Sequence, residues 1–460
     1  MRKQKKNNGL HIIIVGCGKV GKELTHHLSD DGNDITIIDT DAERVNVTSL
    51  QYDVMGIVGN GASYSTLQEA DLEHADILIA VTQSDEVNLL CCVIARKAAN
   101  CHTIARVRNP IYSEEREFLK KEFGLSMTIN PEDTAAAEID RLLLFPSATD
   151  IDTFAKGRIS MIRVKVPEGS PIAGAALRSL PPHISGNMLV CIARRGDEVI
   201  IPDGSFQIRE GDELALICRM DEANRIFSQI GARLDRVANV MIVGGGKMTY
   251  YLSKRLISRG VKVKIIEMDR NRCEELCNLL PQATVICGDG AEEDLLKEEH
   301  LEQMDAFVAG TGIDETNIIL SLYAKKMVHS KVVTKMARMD FDAVVGGLDL
   351  DSVIYPKHLT AESILQYVRA MRNSVGIAVE TLYRFMDDRV EALEFVIKPG
   401  TPMLGVPFAD LKLKKNLLIG GIFRKGRLII PGGQDHFEPE DSVIVVTTHQ
   451  GFQDFRDILA

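Results

Sequence analysis

No stretch of this chain approaches the roughly 18 to 20 consecutive apolar residues that a helix needs to cross a bilayer. A secretory signal is missing as well. The basic start, Arg2 to Lys6, leads into Asn7, Asn8 and Gly9, and the apolar run from His11 to Val15 is too short to be a signal core. The expectation is a protein made and kept in the cytosol. Nor is there a surplus of positive charge. Lysine and arginine number 54 against 65 acidic residues, a net charge of -11 with a pI near 5.6. That argues against a nucleic-acid partner, since phosphate binding needs a basic face. The basic run at the start reads as a solvated tail, with a weak membrane-surface contact as the sharper alternative. The nine cysteines are scattered and form no CxxC pair, so neither a disulfide framework nor a zinc site is indicated. Cys91 and Cys92 sit in a helical pattern and read as buried thiols. No metal-ligand spacing and no nucleophile elbow is present.

What is present is a repeat. HIIIVGCGKVGKELTHHL, DITIIDTDAERV and GNGASYSTLQEADLEHADILIAVTQSDEVNLL in the first half are answered by VMIVGGGKMTYYLSKRL, VKVKIIEMDRNRC and GDGAEEDLLKEEHLEQMDAFVAGTGIDETNII. The period is about 229 residues, so that Gly59 matches Gly288, Asp85 matches Asp314 and Asn88 matches Asn317. The tails repeat too: GSPIAGAAL from Gly169 matches GTPMLGVPF from Gly400, and RRGDEVIIPDG from Arg194 matches RKGRLIIPGG from Arg424. In the first large segment the pattern predicts strands over 11–16, 34–39, 54–59, 75–81, 103–108 and 126–130, with amphipathic stretches between them. Runs such as IIIV and DILIAV are apolar throughout, as in a parallel sheet covered on both faces. The fold class is therefore α/β, with two doubly wound parallel sheets of Rossmann type in tandem, each followed by a small α+β module. Expected boundaries are 9–132 and 237–356 for the large domains and 152–236 and 373–457 for the small ones. The helical stretches 131–145 and 357–372 carry more apolar residues (Ile139, Leu142, Leu143, Leu144; Ile364, Leu365, Val368, Met371) than one sheet face needs, and assembly contacts are expected of them, with folding back onto the same protomer as the bland alternative.

The chemistry-bearing motif is G-C-G-K-V-G: Gly16, Cys17, Gly18, Lys19, Val20 and Gly21. Alone such a string is weak evidence. Here it follows a strand, opens a helix and is followed by an acidic residue, Asp39, at the end of the second strand. Gly16 permits the tight turn, Gly18 lets the backbone approach a pyrophosphate, and Gly21 lets the helix pack close. The helix start then supplies free N–H groups to phosphate oxygens. Asp39 can accept from ribose hydroxyls and would repel a 2′-phosphate, which favours NAD(H) or ATP/ADP over NADP. The bland alternative is a Rossmann fold that binds nothing. In the second half Gly244, Gly245, Gly246, Lys247 and Met248 take the same positions, Thr249 replaces the third glycine, and Glu267 takes the acidic role. Thr249 is expected to push its helix off the sheet, and Glu267 to move the carboxylate by one methylene. The first site should then select the dinucleotide and the second be weaker or favour a mononucleotide. Gly59, Asn60 and Gly61, with Gly288, Asp289 and Gly290, lie after the third strands, where loops line a ligand crevice. Thr82, Gln83 and their neighbours up to Asn88, with Thr311 to Asn317, follow the fourth strands. Ser84 and Asp85 read equally as helix caps. Arg106 and Lys335 either balance phosphate charge or form ion pairs.

A nicotinamide dehydrogenase needs a proton donor aimed at the hydride position. The small segments offer no cluster of such residues, and His183 beside Pro181 and Pro182 reads as structural. These motifs, twice over and with the paired tails, resemble the TrkA family, the two-RCK-unit peripheral regulatory subunits of bacterial Trk potassium uptake systems. The resemblance spans nearly the whole chain; Thr249 and the basic N-terminal run depart from it. It implies no enzymatic activity and nucleotide binding, NAD(H) with ATP or ADP as further ligands. The positions concerned are Gly16 to Val20, Asp39, Thr82, Gln83 and Arg106, then Gly244 to Met248, Glu267, Gly288, Asp289 and Thr311. It further implies a homo-oligomeric ring, a tetramer, docked at the cytoplasmic face of the plasma membrane on a potassium transporter of the TrkH type. An NAD-dependent oxidoreductase and a regulator of another potassium channel or efflux system are the competing readings.

Overall fold

The structure is a computed structural model. It describes residues 9–144, 148–154, 159–181, 188–219, 222–231, 237–328, 331–338, 345–372, 379–385, 389–450, 452 and 454–459. The first large sheet has six parallel strands, His11–Val15 (β1), Asp34–Asp39 (β2), Met55–Val58 (β3), Ile77–Ala80 (β4), His102–Arg106 (β5) and Met127–Ile129 (β6). Their spatial order is β3-β2-β1-β4-β5-β6. The central strand β1 pairs with β2 on one side and β4 on the other. Ile12, Ile13 and Ile14 are wholly buried, which is why this run carries no alternation. Strand order reverses between β1 and β4, and a crevice opens there at the carboxyl ends of the strands. Each expected strand is found within a residue or two of its expected limits.

The small module that follows is antiparallel: Ala148–Phe154 (β7), Ile159–Lys165 (β8), Met188–Arg195 (β9), Glu198–Ile200 (β10) and Glu213–Cys218 (β11), in the order β10-β9-β11-β8-β7. The second large sheet repeats the first. Asn239–Val243 (β12), Lys262–Glu267 (β13), Thr284–Cys287 (β14), Ala306–Ala309 (β15), Lys331–Lys335 (β16) and Ser352–Ile354 (β17) run in the order β14-β13-β12-β15-β16-β17. The last sheet contains Val379–Phe385 (β18), Val390–Val396 (β19), Leu417–Arg424 (β20), Arg427–Ile429 (β21) and Ser442–Thr447 (β22). Its order, β18-β19-β22-β20-β21, is the topology of the first small sheet read from the other edge. The duplication seen in the sequence is thus a duplication of strand order. The two small sheets share a core, with Phe154, Met161, Cys191 and Ile217 of one against Val390, Ala392, Ile444 and Val446 of the other.

The chain forms two compact units that cut across its linear order. One contains Met1–Ala137, Met336–Asp340 and Ile354–Val368; the other contains Glu138–Lys335, Phe341–Val353 and Arg369–Ala460. The helix Pro356–Arg372, although it follows the second large sheet in sequence, lies mostly with the first. There His358 Nδ1 is 2.7 Å from Glu23 Oε1, and its Nε2 is 3.2 Å from Glu362 Oε1. The helix Pro131–Leu144 crosses in the opposite sense: Asp140 pairs with Arg259, just past the helix Lys247–Ser258. This corrects the reading of their apolar residues. Ile139, Leu142, Leu143, Ile364, Leu365 and Val368 are buried within the chain itself, because each helix is covered by its own protomer; only Leu144 of the set is a large exposed hydrophobic.

Candidate functional site

At the carboxyl end of β1 the backbone turns sharply through Gly16, whose φ of 107° only glycine adopts without strain; Gly244 stands at 99° in the second half. Gly18 and Gly246 then cap the helices Lys19–Asp30 and Lys247–Ser258. A Cβ added at either would meet nothing within 4 Å, so both caps face open space with their helical N–H groups unobstructed. Neither cap has a side-chain hydrogen bond. Lys19 and Lys247 are exposed at the helix starts, while Val20 and Met248 are buried beneath them.

The acidic residues are stapled to these turns. Asp39 accepts from the Cys17 amide at 2.6 Å through Oδ2 and from the Asp41 amide at 3.0 Å through Oδ1. Glu267 accepts from Gly245 N at 2.5 Å and Asp269 N at 2.8 Å. The extra methylene of Glu267 is therefore taken up within the side chain, and the carboxylate finds the equivalent pair of amides. Each carboxylate oxygen keeps a second lone pair, so ribose hydroxyls can be accepted without breaking the staple. The Cys17 thiol is pushed up to about 12, first by burial and then by the Asp39 charge, and is chemically quiet.

The third motif position shows how the halves diverge. A Cβ on Gly21 would lie 1.8 Å from Gly16 O and 3.5 Å from Val81 Cγ2. Thr249 occupies that position in the second half and donates its hydroxyl to Gly244 O at 2.5 Å. A real Cβ cannot stand 1.8 Å from a carbonyl oxygen, so the second helix cannot meet its turn just as the first does. Its cap conformation is nevertheless preserved: Gly18 has φ −69° and ψ −173°, Gly246 φ −66° and ψ −177°. The volume is recovered across the crevice. The position after β4 is Val81 in the first half and Gly310 in the second, and a Cβ on Gly310 would lie 3.1 Å from Met248 Cε and 3.7 Å from Thr249 Oγ1. The glycine has changed sides of the same contact, a pairing that alignment of the two halves contains but reading each motif alone misses.

The loops after β4 and β15 are structural rather than open. Thr82 N and Oγ1 both donate to Asn88 Oδ1, at 2.8 and 2.7 Å, and Asn88 Nδ2 returns bonds to the carbonyls of Thr82 and Arg106. Thr311 and Asn317 repeat this arrangement, with Lys335 in place of Arg106. Asp85 Oδ2 accepts from Arg108 N and Asn109 N, and Ser84 caps its helix. The hydroxyls and the backbone N–H and C=O of Thr82 and Thr311 are thus engaged in holding two loops together, and Gln83 is exposed. Asn60 and Asp289 staple their turns by accepting from Ala62 N and Ala291 N. Gly61 and Gly290 are required because a Cβ would fall 2.2 and 2.3 Å from Val15 and Val243; Gly59 and Gly288 pack under Thr66 and Leu295.

Arg106 donates to Thr82 O at 3.1 Å, but its buried Nε has no partner. Burial, aided by Arg108, lowers its pKa. A half-buried guanidinium with an unanswered Nε–H fits an anionic ligand such as a nucleotide phosphate. In the second half Lys335 Nζ reaches the carbonyls of Gly310 and Thr311. Arg272 differs from its counterpart Arg44: it donates to Gly245 O at 2.7 Å, whereas Arg44 pairs with Asp41 outside the turn. Arg272 was not legible as a site residue, because its sequence position is ordinary and only its fold-back over the turn distinguishes it. Among the described residues no cluster of three or more His, Cys, Asp or Glu side chains is arranged to hold a metal ion.

Two doubly wound sheets, each with a glycine turn, an acidic staple and a following antiparallel module, define a tandem nucleotide-binding regulator fold. The TrkA-N domain family matches residues 12–131 and 240–356, and the TrkA-C domain family matches 161–231 and 392–460. The chain belongs to the TrkA family. It is 32% identical over 449 residues to the Trk system potassium uptake protein TrkA of Vibrio alginolyticus, covering 96% of this chain and 97% of that protein. It is 31% identical over 444 residues to the protein of the same name from Haemophilus influenzae, covering 95% of each. In fold it is similar to the GsuK channel bound to NAD, with a TM-score of 0.63 at 17% identity, covering 98% of this chain and 78% of that one.

Proposed function

We propose that this protein is the nucleotide-sensing regulatory subunit of a membrane potassium uptake transporter, acting from the cytoplasmic side of the plasma membrane. The observation that carries the reading is the doubled glycine turn with its stapled carboxylate, in a chain that is similar along its whole length to proteins named for Trk potassium uptake. No described helix is long and apolar enough to cross a membrane, which fits a subunit that docks on a separate transporter, here of the TrkH type. The first turn takes NAD(H), with Asp39 on the ribose and Arg106 near the phosphates. The second turn takes an adenine nucleotide such as ATP or ADP and is the weaker site, a reading supported by Thr249 in place of the third glycine and by Arg272 over the Gly245 carbonyl. Bound nucleotide supplies phosphate charge for the helix starts and hydroxyls for the carboxylates. The residues here orient it and carry out no chemistry on it.

A ring of four copies suits the surface. Leu90 and Ile319, at matching positions on the helices Asp85–Ala98 and Asp314–Ala324, are 49% and 68% exposed, which leaves the same helix face open to a neighbouring copy in each half. Gating then requires only that nucleotide bind two ring conformations with different affinity. The test is to reconstitute the chain with the transporter it retains from membranes and measure potassium flux. Flux should change on adding NADH, NAD, ATP or ADP; flux indifferent to all four would overturn the proposal.

A further inference from the structure

The second large domain carries cysteines at three positions where the first has other residues. Cys273, Cys277 and Cys287 replace Val45, Ser49 and Val58. Val45 is a buried residue of the helix Ala42–Tyr52, and Val58 is the exposed end of β3. In the second half the same two places hold a buried thiol, Cys273 on the helix Arg270–Leu279, and an exposed one, Cys287 at the end of β14. Burial, and after it the neighbouring Cys287 thiol, raise the pKa of Cys273. Cys287 is the register neighbour of Glu267 on β13, and Cys273 Sγ donates to Glu267 O at 3.2 Å. The pair therefore sits directly behind the carboxylate that staples the second glycine turn. Cys277, one helical turn beyond Cys273, is exposed.

We propose that Cys273 and Cys287 form a reversible oxidation site, a thiol pair that hydrogen peroxide converts to a disulfide beside the second nucleotide turn. The solvent-exposed Cys287 thiolate attacks one peroxide oxygen and the O–O bond breaks. Cys287 becomes a sulfenic acid, and the other oxygen leaves as water after taking a proton. The Cys273 thiol then attacks the sulfenic sulfur, the S–S bond forms, and a second water departs. In total two thiols and one peroxide give one disulfide and two waters. Each sulfur is oxidised by one electron and the peroxide oxygens are reduced. Cys287 is exposed to peroxide while Cys273 is buried, which assigns Cys273 the resolving role; burial also pushes the Cys273 thiol up to about 11, making it the weaker first nucleophile. Closure would remove the donor that Cys273 gives to Glu267 O and tie helix 270–279 to the residue preceding Gly288. Because the first half has valines at both places, the effect would be confined to the second site.

The experiment uses the reduced full-length protein, treated with hydrogen peroxide at a one-to-one ratio, quenched with an alkylating agent and digested without reductant for mass spectrometry. A Cys273–Cys287 peptide link and the loss of two titratable thiols per chain are expected, reversed by dithiothreitol. Cys287→Ser, a change at an exposed position, should abolish the link; Cys277→Ser should leave it. A link through Cys277, or Cys287 accumulating as sulfenic or sulfinic acid with Cys273 still free, would overturn the pair. The consequence for ligand binding rests on the nucleotide reading above and is read separately. Adenine nucleotide affinity at the second site should change at least about threefold on oxidation, with the first site unchanged. A link that forms without such a change would refute the coupling while leaving the thiol pair intact.

Discussion

Exchanging the glycine across the first crevice tests the compensation between its helix and its fourth strand. Gly21→Thr alone places a Cβ where the added atom would lie 1.8 Å from Gly16 O. That is a backbone atom with little room to yield, so overpacking of about 1 to 3 kcal/mol is expected, at the upper end. Val81→Gly alone removes a side chain that is 4% exposed, at about 2 to 3 kcal/mol for lost burial and a further 0.5 to 1 kcal/mol for backbone freedom. In the double variant the helix can shift toward the space that Val81 vacates, which draws the threonine Cβ off Gly16 O. The threonine hydroxyl can then meet Gly16 O as Thr249 meets Gly244 O in the second half. Contacting residues couple by about 0.5 to 3 kcal/mol, and at least about 1 kcal/mol of recovery is expected. Hydrogen exchange at the amides of β1 reads this locally: 1 kcal/mol is about a fivefold change in opening. If the double variant loses as much protection as the two single variants combined, the two positions do not compensate and the account of Thr249 fails.

Asp39→Asn should weaken NADH binding at the first site about 10- to 100-fold, the worth of a charge-assisted hydrogen bond. Calorimetry with the second site disabled by Glu267→Gln checks this, and unchanged affinity would remove Asp39 from the site. The purified protein should show no substrate-dependent turnover of NADH with simple oxidants; stoichiometric oxidation would revive the dehydrogenase reading. Burial alone would depress the His358 imidazole, but hydrogen bonds and charge from Glu23 and Glu362 outweigh it and hold the pKa at about 10, above the usual 6.5. The ion pair therefore stabilises the fold fully below about pH 6.5 and is lost as pH rises through about 10. His358→Gln should cost about 1 to 2 kcal/mol at pH 6 and close to nothing above pH 10; a cost independent of pH would show that His358 serves by packing alone.

The sequence by itself determined the duplication, the βαβ alternation with six strands in the first large segment, and the two glycine turns with their acidic partners. These depend on local patterns: uniformly apolar strands, helix periodicity, and glycine where φ must be positive. It also located the loops at Thr82 and Thr311, though not their use, since which hydroxyl is engaged depends on Asn88 and Asn317 lying six residues away in sequence but 2.7 Å away in space. Only the tertiary structure decided where the helices 131–144 and 356–372 bury their apolar faces. A stripe such as Ile364, Leu365 and Val368 states that a cover is needed and not which surface supplies it. The same holds for Val81 opposite Gly21, for Arg272 over the Gly245 carbonyl, and for Cys273 beside Cys287. Each is an ordinary residue in its own segment, and each gains its role only when strands distant in sequence are brought side by side.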